Sequence, residues 1–175
     1  MTGVSVVVLC GPPGVGKSSL AEEMFDQLSV HDVRHAVIDV DALCLCWPFR
    51  PGDRYNTQTA VENLAAVWAG YRRQGISRLI LARVVESEAD IARLLSAVPG
   101  ADHATVCQLT ARPETIEERI RRREVGSSAE PLVARSREIA VTAPEADFAD
   151  IVLDTEATPL SELAADLLKR LGWLG

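Results

Sequence analysis

Apolar positions along the chain change period repeatedly, and each change marks an element. Val6 to Cys10 is an unbroken apolar run, the pattern of a strand buried on both faces. A glycine-rich turn follows it, and then Leu20, Met24, Phe25 and Leu28 fall at helical spacing. A second strand is predicted over His35 to Val40, and a third over Arg78 to Val85, interrupted only by Arg83. Between them Ala60, Leu64, Val67, Trp68 and Tyr71 repeat as one helix face, which Gly75 closes. Ser87 or Glu88 opens a helix with Ile91, Leu94, Leu95 and Val98 on one side, stopped by Pro99 and Gly100. A fourth strand spans Ala104 to Leu109. Pro113 suits a first helical position, and the helix after it is mostly solvated, anchored by Ile116 and Ile120. Gly126 to Ser128 breaks it. A further helix runs from about Pro131 to Val141, and a fifth strand over Ile151 to Leu153. Thr158 and Pro159 precede a last helix whose stripe, Leu160, Leu163, Ala164, Leu167, Leu168 and Leu171, ends at Gly172.

Strands alternating with helices predict an α/β fold: a five-stranded parallel sheet between two helical layers, in one domain over residues 1–175. Such sheets bind ligands at the carboxyl ends of their strands. The chemistry should therefore lie just after each apolar run.

After the first run stands Gly11-Pro-Pro-Gly14-Val15-Gly16-Lys17-Ser18, which fits G-x-x-x-x-G-K-[ST]. Its glycines let consecutive backbone N–H groups point inward around a phosphate, and the helix that starts there adds its positive end. Gly11, Gly14, Val15, Gly16, Lys17, Ser18 and Ser19 thus form a nucleotide site, with Lys17 bridging β- and γ-phosphates and the Ser18 hydroxyl on Mg²⁺. Lysine is otherwise rare here: Lys17 and Lys169 are the only two in the chain.

Asp39 and Asp41 lie at the carboxyl end of the second strand, on the same sheet edge as the glycine-rich loop. One carboxylate can hold Mg²⁺ and the other can take the proton of an attacking hydroxyl. Asp41 is favoured as the base because it lies nearer the next loop; Asp39 remains open for either role. That loop, Cys44 to Asn56, has no period and is rich in Pro, Arg and aromatic residues. Trp47, Phe49 and Tyr55 offer flat faces, and Arg50, Arg54 and Arg83 offer polar contacts to an acceptor. Arg83 ends an apolar strand and needs a partner, either a ligand or an ion pair with Glu86 or Glu88.

A net charge of -7 argues against a general nucleic-acid partner, and no apolar stretch reaches the roughly 20 residues of a membrane span. The first strand begins within a few residues of Met1, so the expected location is cytoplasmic. Cys10, Cys44, Cys46 and Cys107 lack the paired spacing of a zinc site, and Cys10 and Cys107 read as core.

The GPPGVGKS loop, the D-x-D after the second strand and the arginine-rich stretch before the fifth resemble the small P-loop kinases of the nucleoside monophosphate kinase-like fold. Within them the chain is most similar to the small-metabolite and antibiotic branch: shikimate, gluconate and adenylylsulfate kinases and chloramphenicol phosphotransferase. The resemblance implies a P-loop NTPase fold and ATP as phosphoryl donor, with the helices between strands four and five (about residues 119–140) acting as a mobile lid. It implies that Arg119 packs on the adenine face, that Arg123 faces phosphate, and that the backbone around Thr155 meets the base. Arg121, Arg122, Arg135 and Arg137 share this segment with Glu117, Glu118 and Glu124, so only two or three of its arginines should touch ligand.

The function expected is ATP- and Mg²⁺-dependent transfer of the γ-phosphoryl group to a hydroxyl of a small, ring-bearing acceptor, nucleoside-like or antibiotic, by a monomer or homodimer. A nucleoside monophosphate kinase is the first alternative. The second is a nucleotide-hydrolysing switch, but no N-K-x-D guanine motif occurs, and an AAA-type machine needs an acidic pair where strand three ends RVVE.

Overall fold

The computed structural model describes residues 3–124, 126–142 and 147–175. Five strands form one parallel sheet: β1 (Ser5–Cys10), β2 (Ala36–Asp39), β3 (Arg78–Ala82), β4 (Ala104–Thr110) and β5 (Ile151–Asp154), in the order β2-β3-β1-β4-β5. Among the described residues six α-helices connect or follow them: α1 (Lys17–Val30), α2 (Thr57–Arg73), α3 (Glu88–Ser96), α4 (Pro113–Arg123), α5 (Ala129–Thr142) and α6 (Leu160–Arg170). Short 3-10 turns occupy Ala42–Cys44 and Gly126–Ser128. The strand order places β1 centrally, and the loop after it packs on α4, with Gly14 and Val15 against Ile116 and Ile120.

The period of two along the strands divides the core. Val7 and Leu9 of β1, Cys107 and Leu109 of β4 and Leu153 of β5 point to one face, where Leu20, Met24 and Leu28 of α1 pack with Leu163, Leu167 and Leu168 of α6 and with Ile116 and Ile120 of α4. Val6, Val8 and Cys10 point to the other, against Ala60, Leu64 and Trp68 of α2 and Leu94 of α3. Each fully buried leucine contributes roughly 1.5–3 kcal/mol relative to exposure. Burial pushes the Cys10 thiol up to about 11 and Cys107 up to about 12, so both are inert core thiols.

Local contacts set three of these boundaries. β3 stops at Ala82 rather than Val85, level with the end of β2: Ala82 pairs with Asp39, the last residue of β2, and with Leu9 of β1. The Arg83 N–H still donates to the Leu9 carbonyl, but its side chain turns toward the end of β2. Helix α2 starts a turn earlier than its first apolar residue, since the Asp53 carboxylate accepts from the Thr57 and Gln58 amides and caps it. Helix α3 begins after Ser87, whose hydroxyl accepts from Asp90 N–H.

Candidate functional site

Gly11, Gly14 and Gly16 all have positive φ, at 132°, 82° and 112°. A Cβ at Gly11 would lie 2.6 Å from the Leu109 carbonyl oxygen, and one at Gly14 would lie 2.6 Å from Ile120 Cγ1, so only glycine fits this curl. No side chain caps the start of α1, which leaves its first N–H groups for an anion. Lys17 is 7% exposed, and its Nζ donates to Gly11 O at 3.0 Å and Pro12 O at 3.1 Å. Burial pushes its ammonium below the ordinary lysine value, while Asp41 and Asp39 pull it back up. The ammonium is thus held by the loop's carbonyls, with the two carboxylates favouring its charge.

Those carboxylates occupy different surroundings. Ser18 Oγ donates to Asp39 Oδ2 at 2.7 Å, and the Asp41 amide donates to Asp39 Oδ1 at 3.0 Å. Asp39 is therefore fixed against the serine of the loop. Asp41 lies one step farther out; its side chain is 41% exposed and lines the main cavity, with Arg83 Nη1 3.6 Å from its Oδ1. Arg83 itself is buried, donating to Val40 O at 3.2 Å and Thr57 Oγ1 at 3.4 Å. Its partner is the second aspartate; Glu86 pairs instead with Arg135.

A second bracket joins the loop to the end of β5. Arg119 Nη1 donates to Val15 O at 3.3 Å and Thr155 Oγ1 at 3.0 Å, and Nη2 donates to Thr155 O at 3.0 Å. Thr155 Oγ1 donates in turn to Val15 O at 2.9 Å. These residues, with Gly14, Gly16, Ser19, Arg122, Arg123 and Leu160, line a cavity of about 530 Å³. The sequence reading missed Glu156, which ties this loop to the start of α4. Its carboxylate accepts from Thr115 Oγ1, from the Arg112 amide at 2.8 Å and from Arg112 Nε. The Thr115 hydroxyl, then the Arg112 groups, lower its pKa from 4.5 to about 2. A depressed carboxyl contributes stability above its unfolded pKa and loses it as pH falls through the folded one. Glu156→Gln should therefore flatten the loss of thermal stability between about pH 4.5 and pH 2 relative to wild type, read as melting temperature against pH.

The main cavity, about 860 Å³, opens at the carboxyl ends of β1, β2 and β3. It brings together Lys17, Ser18, Ser19, Asp39, Asp41, Arg54, Tyr55, Arg83 and Arg123 of the residues singled out from sequence. Trp47 and Arg50 are outside its lining. Trp47 is 86% exposed beside Phe49, and Arg50 pairs with Glu62. The lining adds Leu45, Val61, Glu86, Leu132 and Glu138, which no sequence motif marks. Buried Asn56 organises the loop beneath, donating to Cys44 O at 2.9 Å and to Cys46 Sγ at 3.0 Å. From α5, Arg135 stacks over the Tyr55 ring at 4.3 Å and pairs with Glu86 and Glu138. Arg121 and Arg137 pair with Glu117, away from the cavity.

The sequence family described as an AAA domain matches residues 6–148, most of the chain. The protein belongs to this AAA domain family. Solved structures that share the fold include the gluconokinase of Sinorhizobium meliloti, at TM-score 0.63 and 19% identity, covering 99% of this chain and 94% of that one. The APS kinase of Mycobacterium tuberculosis, solved with AMPPNP and APS, aligns at TM-score 0.64 and 17% identity over 98% and 99% of the chains. The Deinococcus radiodurans tunicamycin resistance protein aligns at TM-score 0.61 and 20% identity over 97% and 96%. No curated protein sequence matches the chain. This AAA domain family member has the fold of small P-loop kinases, and Arg83-Val84-Val85-Glu86 follows its β3. Among the described residues no helix is long and apolar enough to cross a membrane.

Proposed function

We propose that the protein is an ATP- and Mg²⁺-dependent phosphotransferase acting on a hydroxyl of a small, ring-bearing acceptor. The observation that carries this reading is the division of labour at the end of β2: both carboxylates line the main cavity, Asp39 bonded to the loop serine and Asp41 with its side chain 41% exposed. Ser18 and Asp39 are a hard-oxygen pair on a phosphate loop, a donor set that suits a small divalent cation keeping several waters. Mg²⁺ and ATP, when bound, supply charge neutralisation and the phosphoryl group.

The chain's own groups do the rest. Lys17 and Arg123 place positive charge where equatorial phosphoryl oxygens gain negative charge. Asp41 is the general base: it takes the acceptor hydroxyl proton as that oxygen attacks phosphorus. Arg83 is a positioning residue, fixing Asp41 through the contact of its Nη1 with Oδ1. Arg119 and Thr155 hold the base-side loop against Val15, and α4 and α5 act as the lid over both cavities. The names of the fold's neighbours, two small-metabolite kinases and an antibiotic resistance protein, support a small-molecule acceptor.

A screen of nucleosides and ring-bearing antibiotics with γ-labelled ATP and Mg²⁺ tests this. Acceptor-dependent appearance of labelled phosphate ester is expected. Hydrolysis indifferent to every small alcohol, yet altered by a protein partner, would replace the reading with a switch.

A further inference from the structure

On the acceptor side the main cavity is lined by four arginines, Arg54, Arg83, Arg93 and Arg135, and by four carboxylates, Asp41, Glu86, Asp90 and Glu138. The arginines are already engaged. Arg83 faces Asp41, Arg93 Nη1 meets Asp90 Oδ1 at 2.8 Å, and Arg135 takes both Glu86 and Glu138. Arg54 lies 5.1 Å from the Tyr55 ring centroid, on the ring that also carries Arg135. A phosphate or carboxylate brought here would find three of the four guanidiniums, those of Arg83, Arg93 and Arg135, shared with a protein carboxylate and Arg54 lying by the Tyr55 ring, and like charges set side by side cost several kcal/mol. An ammonium would meet the mirror problem at the arginines. What remains for a ligand is apolar surface: Leu45, Phe49, Val61, Val85, Leu94 and Leu132.

We infer that the acceptor is an uncharged amphipathic alcohol, bound by apolar contact and hydrogen bonds rather than by ion pairing. This rests on reading the main cavity as the acceptor site. It separates the protein from kinases of phosphorylated or acidic acceptors, a nucleoside monophosphate kinase among them. The charge pairs serve to shape the wall and to join α5 to the 44–56 loop, with Arg135 as the connection.

Matched trios of alcohols test it. One trio is thymidine with its 5′-monophosphate and its 5′-amino analogue; another is adenosine with the same two; a third is phenylethane-1,2-diol with mandelate and 2-amino-1-phenylethanol. Binding is read from Trp47 fluorescence on full-length protein saturated with a non-hydrolysable ATP analogue and Mg²⁺. Trp68 and Trp173 are buried, whereas Trp47 is exposed and 5.8 Å from the Phe49 ring, which lines the cavity. At least one uncharged member should bind about tenfold or more tightly than both charged relatives, the discrimination expected of unmatched buried charge. In the Glu86→Gln, Glu138→Gln double variant the anionic members should gain about tenfold, because Arg135 loses both partners. A charged member binding wild type most tightly in its trio overturns the inference, as does failure of every uncharged member to bind or no anion gain in a folded double variant. Turnover is not needed for this readout. Tight binding of an uncharged alcohol without transfer would refute the kinase reading alone, and efficient transfer to a phosphorylated alcohol would refute this inference alone.

Discussion

Asp41→Asn should lower phosphoryl transfer by about 10²–10⁴-fold, the range over which a positioned general base contributes, while leaving nucleotide affinity near wild type. The substitution keeps the shape and the polar contact with Arg83 but cannot accept the hydroxyl proton. The fold and the proposed metal site are spared because the Asp41 contact to Asp39 runs through its backbone N–H, which asparagine retains. Rates with saturating labelled ATP, beside nucleotide affinity measured by calorimetry, check both halves. Transfer unchanged in this variant would move the base to Asp39 or remove the need for one. The companion change Asp39→Asn should raise the Mg²⁺ concentration needed for half-maximal rate, since the carboxylate beside Ser18 Oγ is the one lost.

Lys17→Ala is expected to reduce transfer by about 10²–10³-fold or more, the loss typical when one preorganised charge stabiliser is removed, and to weaken nucleotide binding as well. Two effects add here. The ammonium that meets the phosphates disappears, and the Gly11 and Pro12 carbonyls lose the donor that holds the loop's curl. A melting curve separates them: a folded variant that binds nucleotide weakly and transfers nothing supports the assignment. Full activity in a folded Lys17→Ala protein would show that the loop serves another ligand.

The chain's periodicities carried the architecture, because strands buried on both faces and helices buried on one leave unmistakable spacing at Val6 to Cys10 and at Leu160 to Leu171. The phosphate loop was equally plain, since its glycines are demanded by backbone geometry that few sequences satisfy. The acceptor side was only half legible. Arg83 stood out as a charge ending an apolar run, and the structure supplies its partner in Asp41. Trp47 and Arg50, chosen for residue type, fall outside the cavity because the 44–56 loop folds around buried Asn56 and turns them outward. Glu86, Leu132 and Glu138 enter the lining from elements far apart in the chain, and no local pattern encodes a meeting of that kind. Glu156 was hidden for the same reason: its partners Arg112 and Thr115 stand about forty residues earlier.

Ala82 faces Leu9 on one side and Asp39 on the other. One small residue thus acts as a common ruler mark for the strand that launches the phosphate loop and the strand that delivers the acid beside it. The spacing between the two halves of the chemistry is set by ladder hydrogen bonds inside the sheet, where a slip of one residue would turn every side chain to the opposite layer. The loops at the rim can then lengthen, shorten or change their aromatic content without disturbing that distance, which leaves choice of acceptor free to drift while the transfer machinery stays in step.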